Sequence, residues 1–262
     1  MERSDELAPH LPGLAMWPGV LKRALVVVAC GALTVALAAC ESTESESAKI
    51  EREASKSREA EPGALKLGAI NKSVRVSDAT LLSAGARKAV AVKLTSTSAR
   101  DQRQLPVLVE VTAAGGKIAY TNQIGVEPAL QHISQLGSHA SAWWVDDQVL
   151  VNQTTRAVRV RVGTGKRPSH RASPLLSAKL AHVGGAAGAS SVSGVLVNHS
   201  RVAQKHVPVF VVALRGGKVV AAGRALVASL AGREGASAPF QVTLVGSTAG
   251  AKIELTAVAT AS

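Results

Sequence analysis

The sequence predicts an all-β protein whose folded part is two β-sandwich domains in tandem, and three observations carry that reading. Hydrophobic residues make up 47% of the 262 but aromatic ones only 2%, so a core must be built from Val, Leu, Ala and Ile, a composition that favours strands. From about residue 65 the chain runs in short alternating segments broken by glycine and polar turns, the spacing of a sandwich or barrel. It also repeats itself. Leu105-Pro106-Val107-Leu108-Val109 followed by Gly115-Gly116-Lys117-Ile118 returns as Val207-Pro208-Val209-Phe210-Val211 followed by Gly216-Gly217-Lys218-Val219. The offset is 102 at the first pair and 101 at the second. Two copies of about 100 residues are two domains, whereas a solenoid needs shorter and more numerous repeats.

Before the repeats comes a leader. Lys22-Arg23 precede Ala24 to Ala39, 16 residues without a charge, and the polar Glu41-Ser42-Thr43-Glu44 follows abruptly. A basic flank, a short apolar run and small residues before a break make a secretory signal peptide, and the run is short for a membrane span. Glu2, Asp5 and Glu6 are unusual in such a leader, so Met16 is the expected start of translation. Leu37-Ala38-Ala39-Cys40 resembles the bacterial lipobox. The resemblance implies cleavage between Ala39 and Cys40, diacylglycerol on the Cys40 sulfur, and a mature protein held by lipid on the extracytoplasmic face of the cell membrane. Val27-Val28-Ala29-Cys30 has similar residues but only six apolar residues separate it from Arg23, too few for a signal core. Cys30 and Cys40 are the only cysteines, so residues 41 to 262 hold no disulfide, thiolate metal site or cysteine nucleophile.

Residues 40–63 read as an acidic flexible tether. Seven acids against four bases between 41 and 61, with Ile50 the single large apolar residue, cannot bury enough surface to fold alone. The expected domains are then 64–165 and 173–262, joined by a proline-flanked stretch with Pro168 and Pro174. The match between copies extends from Val90-Ala91-Val92-Lys93-Leu94 onto Val192-Ser193-Gly194-Val195-Leu196, and from Ser141-Ala142-Trp143-Trp144 onto Ser237-Ala238-Pro239-Phe240. Each copy closes on an alternating strand, Val158 to Val162 and Ile253 to Ala257. Gly194-Val195-Leu196-Val197-Asn198, the run Val207 to Leu214, Gly217-Lys218-Val219-Val220, Leu230 to Glu234 and Phe240-Gln241-Val242 make the second copy similar to the FxLYD-type immunoglobulin-like domains of bacterial envelope proteins. Ala213-Leu214-Arg215 stands where that family's aromatic pair and aspartate would be. The resemblance implies an immunoglobulin-like sandwich and no catalytic activity.

Strand alternation assigns faces. In the first copy Leu105, Val107, Val109 and Val111 are core and Pro106, Leu108, Glu110 and Thr112 face out. Transferred to the second copy, the outward positions become Pro208, Phe210, Val212 and Leu214, and on the preceding strand Val195 and Val197. An apolar outer face marks a contact surface, against the other domain, a loop or a partner protein. Trp144 is expected in the core, and Trp143 to be the more exposed of the two, either a contact residue or simply packed.

A second surface is basic: Arg159 and Arg161 alternate with inward valines, Lys166 and Arg167 follow, and Arg75 lies on the first strand of the same domain. Residues 62 to 262 hold 23 bases and 8 acids, within a chain of net charge +12. Anionic head groups or acidic envelope polymers are the partners such a surface suits; nucleic acid is not expected, because the exposed aromatic platforms of single-strand binders are missing. No catalytic constellation, cofactor motif or metal site is legible. Gly246-Ser247-Thr248-Ala249-Gly250 has threonine at its centre and reads as a turn. His132 and His139, like His199 and His206, lie seven apart, which suits neither a helical zinc pair nor one strand face. Asp146-Asp147 is the single adjacent acidic pair of the folded part, able to cap a turn or hold a cation. The sequence therefore points to a non-catalytic envelope lipoprotein that binds or scaffolds; the alternatives are an accessory subunit of an envelope transport, secretion or wall-assembly complex docking through the second domain, and, last, an envelope hydrolase.

Overall fold

The structure, a computed structural model, describes residues 62–166, 175–186 and 189–260, together with 49–50, 52–54 and 56. Ala39, Cys40, most of the tether and Arg167 lie outside the described residues. The chain from Ile50 onward forms one compact unit.

Both repeats fold as antiparallel sandwiches. In the first, β1 (Val74–Ala84), β2 (Arg87–Ser96) and β6 (Ser141–Asp146) form one sheet in the order β1-β2-β6. The facing sheet is centred on β3 (Gln102–Ala113), with β4 (Ile118–Thr121) and β5 (His132–Leu136) along one side and β7 (Thr155–Val162) along the other. In the second, β8 (Leu176–Ala186), β9 (Ala189–Asn198) and β12 (Ala236–Thr243) form the order β12-β9-β8. They face β13 (Val245–Gly246), β11 (Lys218–Leu230), β10 (Gln204–Arg215) and β14 (Lys252–Ala257), in the order β13-β11-β10-β14. Leu105, Val107, Val109 and Val111 are fully buried between the first pair of sheets, and Val207, Val209, Val211 and Ala213 between the second.

The repeat extends to irregularities. Gln104 and His206, 102 residues apart, both adopt a left-handed backbone near the start of the central strand. His139 has the same conformation at the turn before β6 as Gly235 at the turn before β12. Registers agree as well: Tyr120 pairs with Val111 as Ala221 pairs with Ala213, and Trp143 pairs with Lys93 as Pro239 pairs with Val195.

Two departures separate the copies. First, β11 runs unbroken along β10 for 13 residues, whereas in the first copy that edge is split into β4 and β5 by an inserted loop. The insertion shows as a drop in offset from 101 at Gly115 to 96 at Trp144. Pro128–Leu130 makes a 3-10 turn in it, and Asn122 ties it down by donating to the carbonyls of Val107 and Leu130 and accepting from the Val109 N–H. Second, the outer face of the β3 sheet is covered by the segment just after the tether, where Leu65 and Leu67 bury against Leu108. Leu65 N–H donates to the Gln123 carbonyl and Gln131 Nε2 to that of Gly63, which fixes this strap in place.

The two sandwiches share a buried sheet-on-sheet interface. Ala89, Val90, Ala91 and Val92 of β2 are all fully buried, although alternate residues point to opposite sides. One side is the domain core; the other, with Trp143 and Val145 of β6, meets Phe210, Val212, Ala222 and Val245 of the second repeat in one continuous apolar cluster. Burial on both faces is why β2 and β10 read as unbroken apolar runs.

Candidate functional site

Polar groups also cross the interface. Trp143 Nε1 donates to Glu254 Oε2 at 2.9 Å and its backbone N–H to Thr256 Oγ1 at 3.2 Å. Lys93 Nζ stands 5.3 Å from the centre of the Trp143 ring, a cation–π distance. The Trp143 hydrogen bond, then that from Lys252 at 3.1 Å, hold the Glu254 carboxyl below its ordinary range. At the opposite rim the Arg87 guanidinium reaches the carbonyls of Leu244 at 3.4 Å and Thr243 at 3.5 Å.

A second cluster lies where β4, β6 and the inserted loop converge. Tyr120 donates its hydroxyl to Asp146 Oδ2 at 2.5 Å, and the Gln148 N–H donates to Asp146 Oδ1 at 3.0 Å. Asp146 has no exposed surface, and burial pushes its carboxyl up to about 6 against the stabilising Tyr120 bond. Burial, then the carboxylate beside it, pushes the Tyr120 phenol far up, so it remains a donor. Next to this pair Arg224, from β11 of the second repeat, bonds Glu127 Oε2 at 3.1 Å and Asp147 Oδ1 at 3.4 Å. Its side chain is 7% exposed while that of Glu127 is 49% exposed, so the clasp buries its cation across the interface and leaves one carboxylate at the wet rim. Gln148 Nε2 donates to Glu127 Oε1 at 3.3 Å and closes the network. Three of the eight acids of the folded part gather here on a basic protein.

An open apolar cavity of about 520 Å³ adjoins the pair, lined by Tyr120, Thr121, Ile124, Val126, Gln148 and Leu150. Asp146-Asp147, expected to cap a turn or hold a cation, does the former through Asp146 and a domain contact through Asp147. Among the described residues no cluster of three or more His, Cys, Asp or Glu could hold a metal ion.

The residues expected to form one apolar contact surface are divided. Phe210 is 1% exposed, Val212 is fully buried and Leu214 is half-buried, all covered by the first repeat, so they are not free for a partner. Val195 and Val197 lie on the other sheet of the same sandwich and face the opposite way. Val195 is 36% exposed. Trp143, expected to be the more exposed tryptophan, is 4% exposed for the same reason as Phe210; Trp144 is in the core.

The basic residues are divided too. Arg75 is exposed on the outer side of the β1 sheet, while Arg159 and Arg161 are on the outer side of the β3 sheet, across the sandwich. Arg161 is bound to Glu110 at 3.1 Å, and Lys166 is exposed where the chain leaves β7. Alternation placed Arg75, Arg159 and Arg161 on outer faces but could not show which two sheets stack. Of the histidines, His132 is half-buried in β5 and burial pulls its pKa down, while His199 Nε2 sits 2.7 Å from Ser177 Oγ. The Arg224 clasp escaped sequence reading, since Arg224 is one cation among many; the one signal was the loop inserted opposite it.

No family model matches the chain, and no curated protein matches it. Among solved structures, a red sea bream transglutaminase is similar over 83% of this chain at 14% identity, with a TM-score of 0.19. The chain spans about a third of that structure, 34% of its length.

Proposed function

We propose that this chain is a non-catalytic, membrane-tethered binding or scaffold lipoprotein of the bacterial cell envelope, anchored through lipid on Cys40 at the extracytoplasmic face. The observation that carries the reading is the order of its parts: an uncharged run ending in Leu37-Ala38-Ala39-Cys40, an acidic segment, then two sandwiches. Two acyl chains hold a protein stably on a bilayer. The mutual docking of the sandwiches supports a scaffold, because it presents outer surfaces in a fixed relation to one another. The buried carboxyl of Asp146 has both oxygens hydrogen-bonded to its own domain, which supports a structural role for it.

The site offered to a partner is the exposed basic side of the first sandwich, Arg159 with Lys166, and the partner class is an anionic head group or acidic envelope polymer. Each base near a charged membrane contributes about 1 kcal/mol. Metabolic labelling with palmitate tests the anchor: the wild-type chain takes up label and sediments with membranes, and Cys40→Ala does neither. Continued labelling of Cys40→Ala overturns the assignment. Vesicles with and without anionic lipid test the surface; binding that weakens with salt and falls several-fold in Arg159→Ala/Lys166→Ala is expected, and binding indifferent to both refutes it.

A further inference from the structure

The repeats also differ at the end of the first sandwich, where the β1–β2 turn meets the loop between β6 and β7. An open cavity of about 440 Å³ lies there, lined by that turn with Lys88, Val151, Asn152, Gln153 and Thr154. In the second repeat the corresponding place is shut. Ser190 stands 102 residues after Lys88 at the same register, since Ser83 pairs with Lys88 as Gly185 pairs with Ser190. Ser190 is buried, and its Oγ accepts from the Thr248 N–H and from the Thr248 hydroxyl, both at 3.2 Å. Thr248 corresponds to Asn152 or Gln153, at the offsets of 96 and 95 found before and after this loop. A serine and a threonine close on each other in one copy; in the other a lysine and two amides leave a cavity.

The polar groups of that cavity are not engaged by the fold. The side chains of Lys88, Asn152, Gln153 and Thr154 make no hydrogen bond or ion pair to any described residue. Of the four asparagines in the sequence, Asn71, Asn122 and Asn198 are bonded within the fold, and Asn152 is not. Lys88 is half-buried, the other three polar residues are exposed, and the buried Val151 supplies an apolar wall. We propose that this cavity is a saccharide site, taking a sugar unit that carries an acidic group, a carboxylate or a phosphate.

The chemistry of the lining selects this class. An amide both donates and accepts, as a hydroxyl does, so Asn152, Gln153 and Thr154 match a ligand that does both over its surface. Sugar hydroxyls meet that condition. A bare phosphate or carboxylate only accepts, and would leave the two amide oxygens unpaired. Lys88 is the one charged residue of the lining, and it calls for an acidic substituent on the sugar. The surroundings have the same sign. Lys117 is exposed on the next turn, brought near by the Ala113 N–H on its carbonyl and the Ala114 N–H on that of Thr154. Arg156 is exposed two residues beyond Thr154, and no acid lines the cavity. Small-molecule sites span about 300–1,000 Å³, so the volume suits a short stretch of saccharide. The site is separate from Arg159 and Lys166 and requires neither that surface nor lipid on Cys40.

Calorimetric titration of the full-length chain in detergent tests it, with a galacturonate tetrasaccharide and with the same tetrasaccharide as its neutral methyl ester. The acid is expected to bind about tenfold more tightly than the ester. Lys88→Gln should abolish that preference while leaving ester binding within about twofold, and Lys88→Arg, which keeps the charge, should retain it. Asn152→Ala/Gln153→Ala should weaken acid and ester alike by about tenfold, and its exposed positions keep the test open should Lys88→Gln fail to fold. Lys117→Gln, outside the cavity, is expected to reduce acid binding far less than Lys88→Gln does. Displacement of the tetrasaccharide by galacturonate or by galactose 6-phosphate at the lower concentration identifies the acidic group. Binding of neither tetrasaccharide, equal binding of acid and ester, or equal losses in Lys88→Gln and Lys117→Gln would each overturn the proposal. So would displacement by inorganic phosphate as effective as that by the sugar acids.

Discussion

The outer faces of β3 and β10 are the same surface built twice and put to different uses. On β10 and its neighbour β14 it reads Phe210, Val212, Glu254 and Thr256, and it docks the second sandwich onto the first. On β3 and β7 the equivalent positions are Leu108, Glu110, Arg159 and Arg161; Leu65 and Leu67 cover the leucine, and Glu110 pairs with Arg161. A fold can thus keep its core pattern while one outer face becomes an interface and its twin a strapped, charged surface. The cores differ in the same spirit. Tyr120 and Asp146 occupy the positions of Ala221 and Val242, so the architecture does not require the buried phenol–carboxyl pair. It stands where the inserted loop and Arg224 meet, which ties it to the domain contact.

The comparison breaks most visibly at Phe210. Phe210→Ala should cost about 3–5 kcal/mol, with a void left between two sheets, whereas Leu108→Ala beneath its two-leucine strap should cost about 2–3 kcal/mol. Equal losses in denaturant melts would deny the two faces their different roles. The pH dependence of Asp146 comes next. The folded chain keeps that proton up to about pH 6 while the unfolded chain releases it near an ordinary aspartate value of about 4. The Asp146 contribution to stability is therefore largest at the acid end and falls as pH rises through that window, by on the order of 2–3 kcal/mol, levelling above it. Asp146→Asn should remove the slope, and the difference between the two stability–pH curves is the measurement; parallel curves count against a buried carboxyl.

Tyr120→Phe takes away one of the two donors to Asp146 and should cost about 1–3 kcal/mol at pH 8. Tyr120→Phe with Asp146→Val makes the site apolar like the second copy and should recover most of that loss. A double variant weaker than Tyr120→Phe would show that the first copy has come to need the pair. Smallest is Trp143→Phe, which forfeits the bond to Glu254 for about 1 kcal/mol. Because that bond lowers the Glu254 pKa, its contribution is present above the ordinary glutamate range and fades as pH falls through the folded value. Trp143→Phe should accordingly flatten part of the acid-side decline in thermal melts.

Strand alternation and the 102-residue repeat were enough to place Leu105, Val107, Val109 and Val111, with their counterparts from Val207, in two cores, because period-two patterning is a local property of the chain. The same alternation put Phe210, Val212 and Trp143 on outer faces and Arg75 and Arg159 on exposed ones. What covers a face is not local. Only the tertiary structure joined Phe210 to Trp143, parted Arg75 from Arg159 by the thickness of a sandwich, and brought Arg224 to Glu127 and Asp147 across some eighty to a hundred residues of sequence. Burial and charge pairing depend on which sheets stack, and that is set by the summed shape and apolar area of both domains rather than by any one segment.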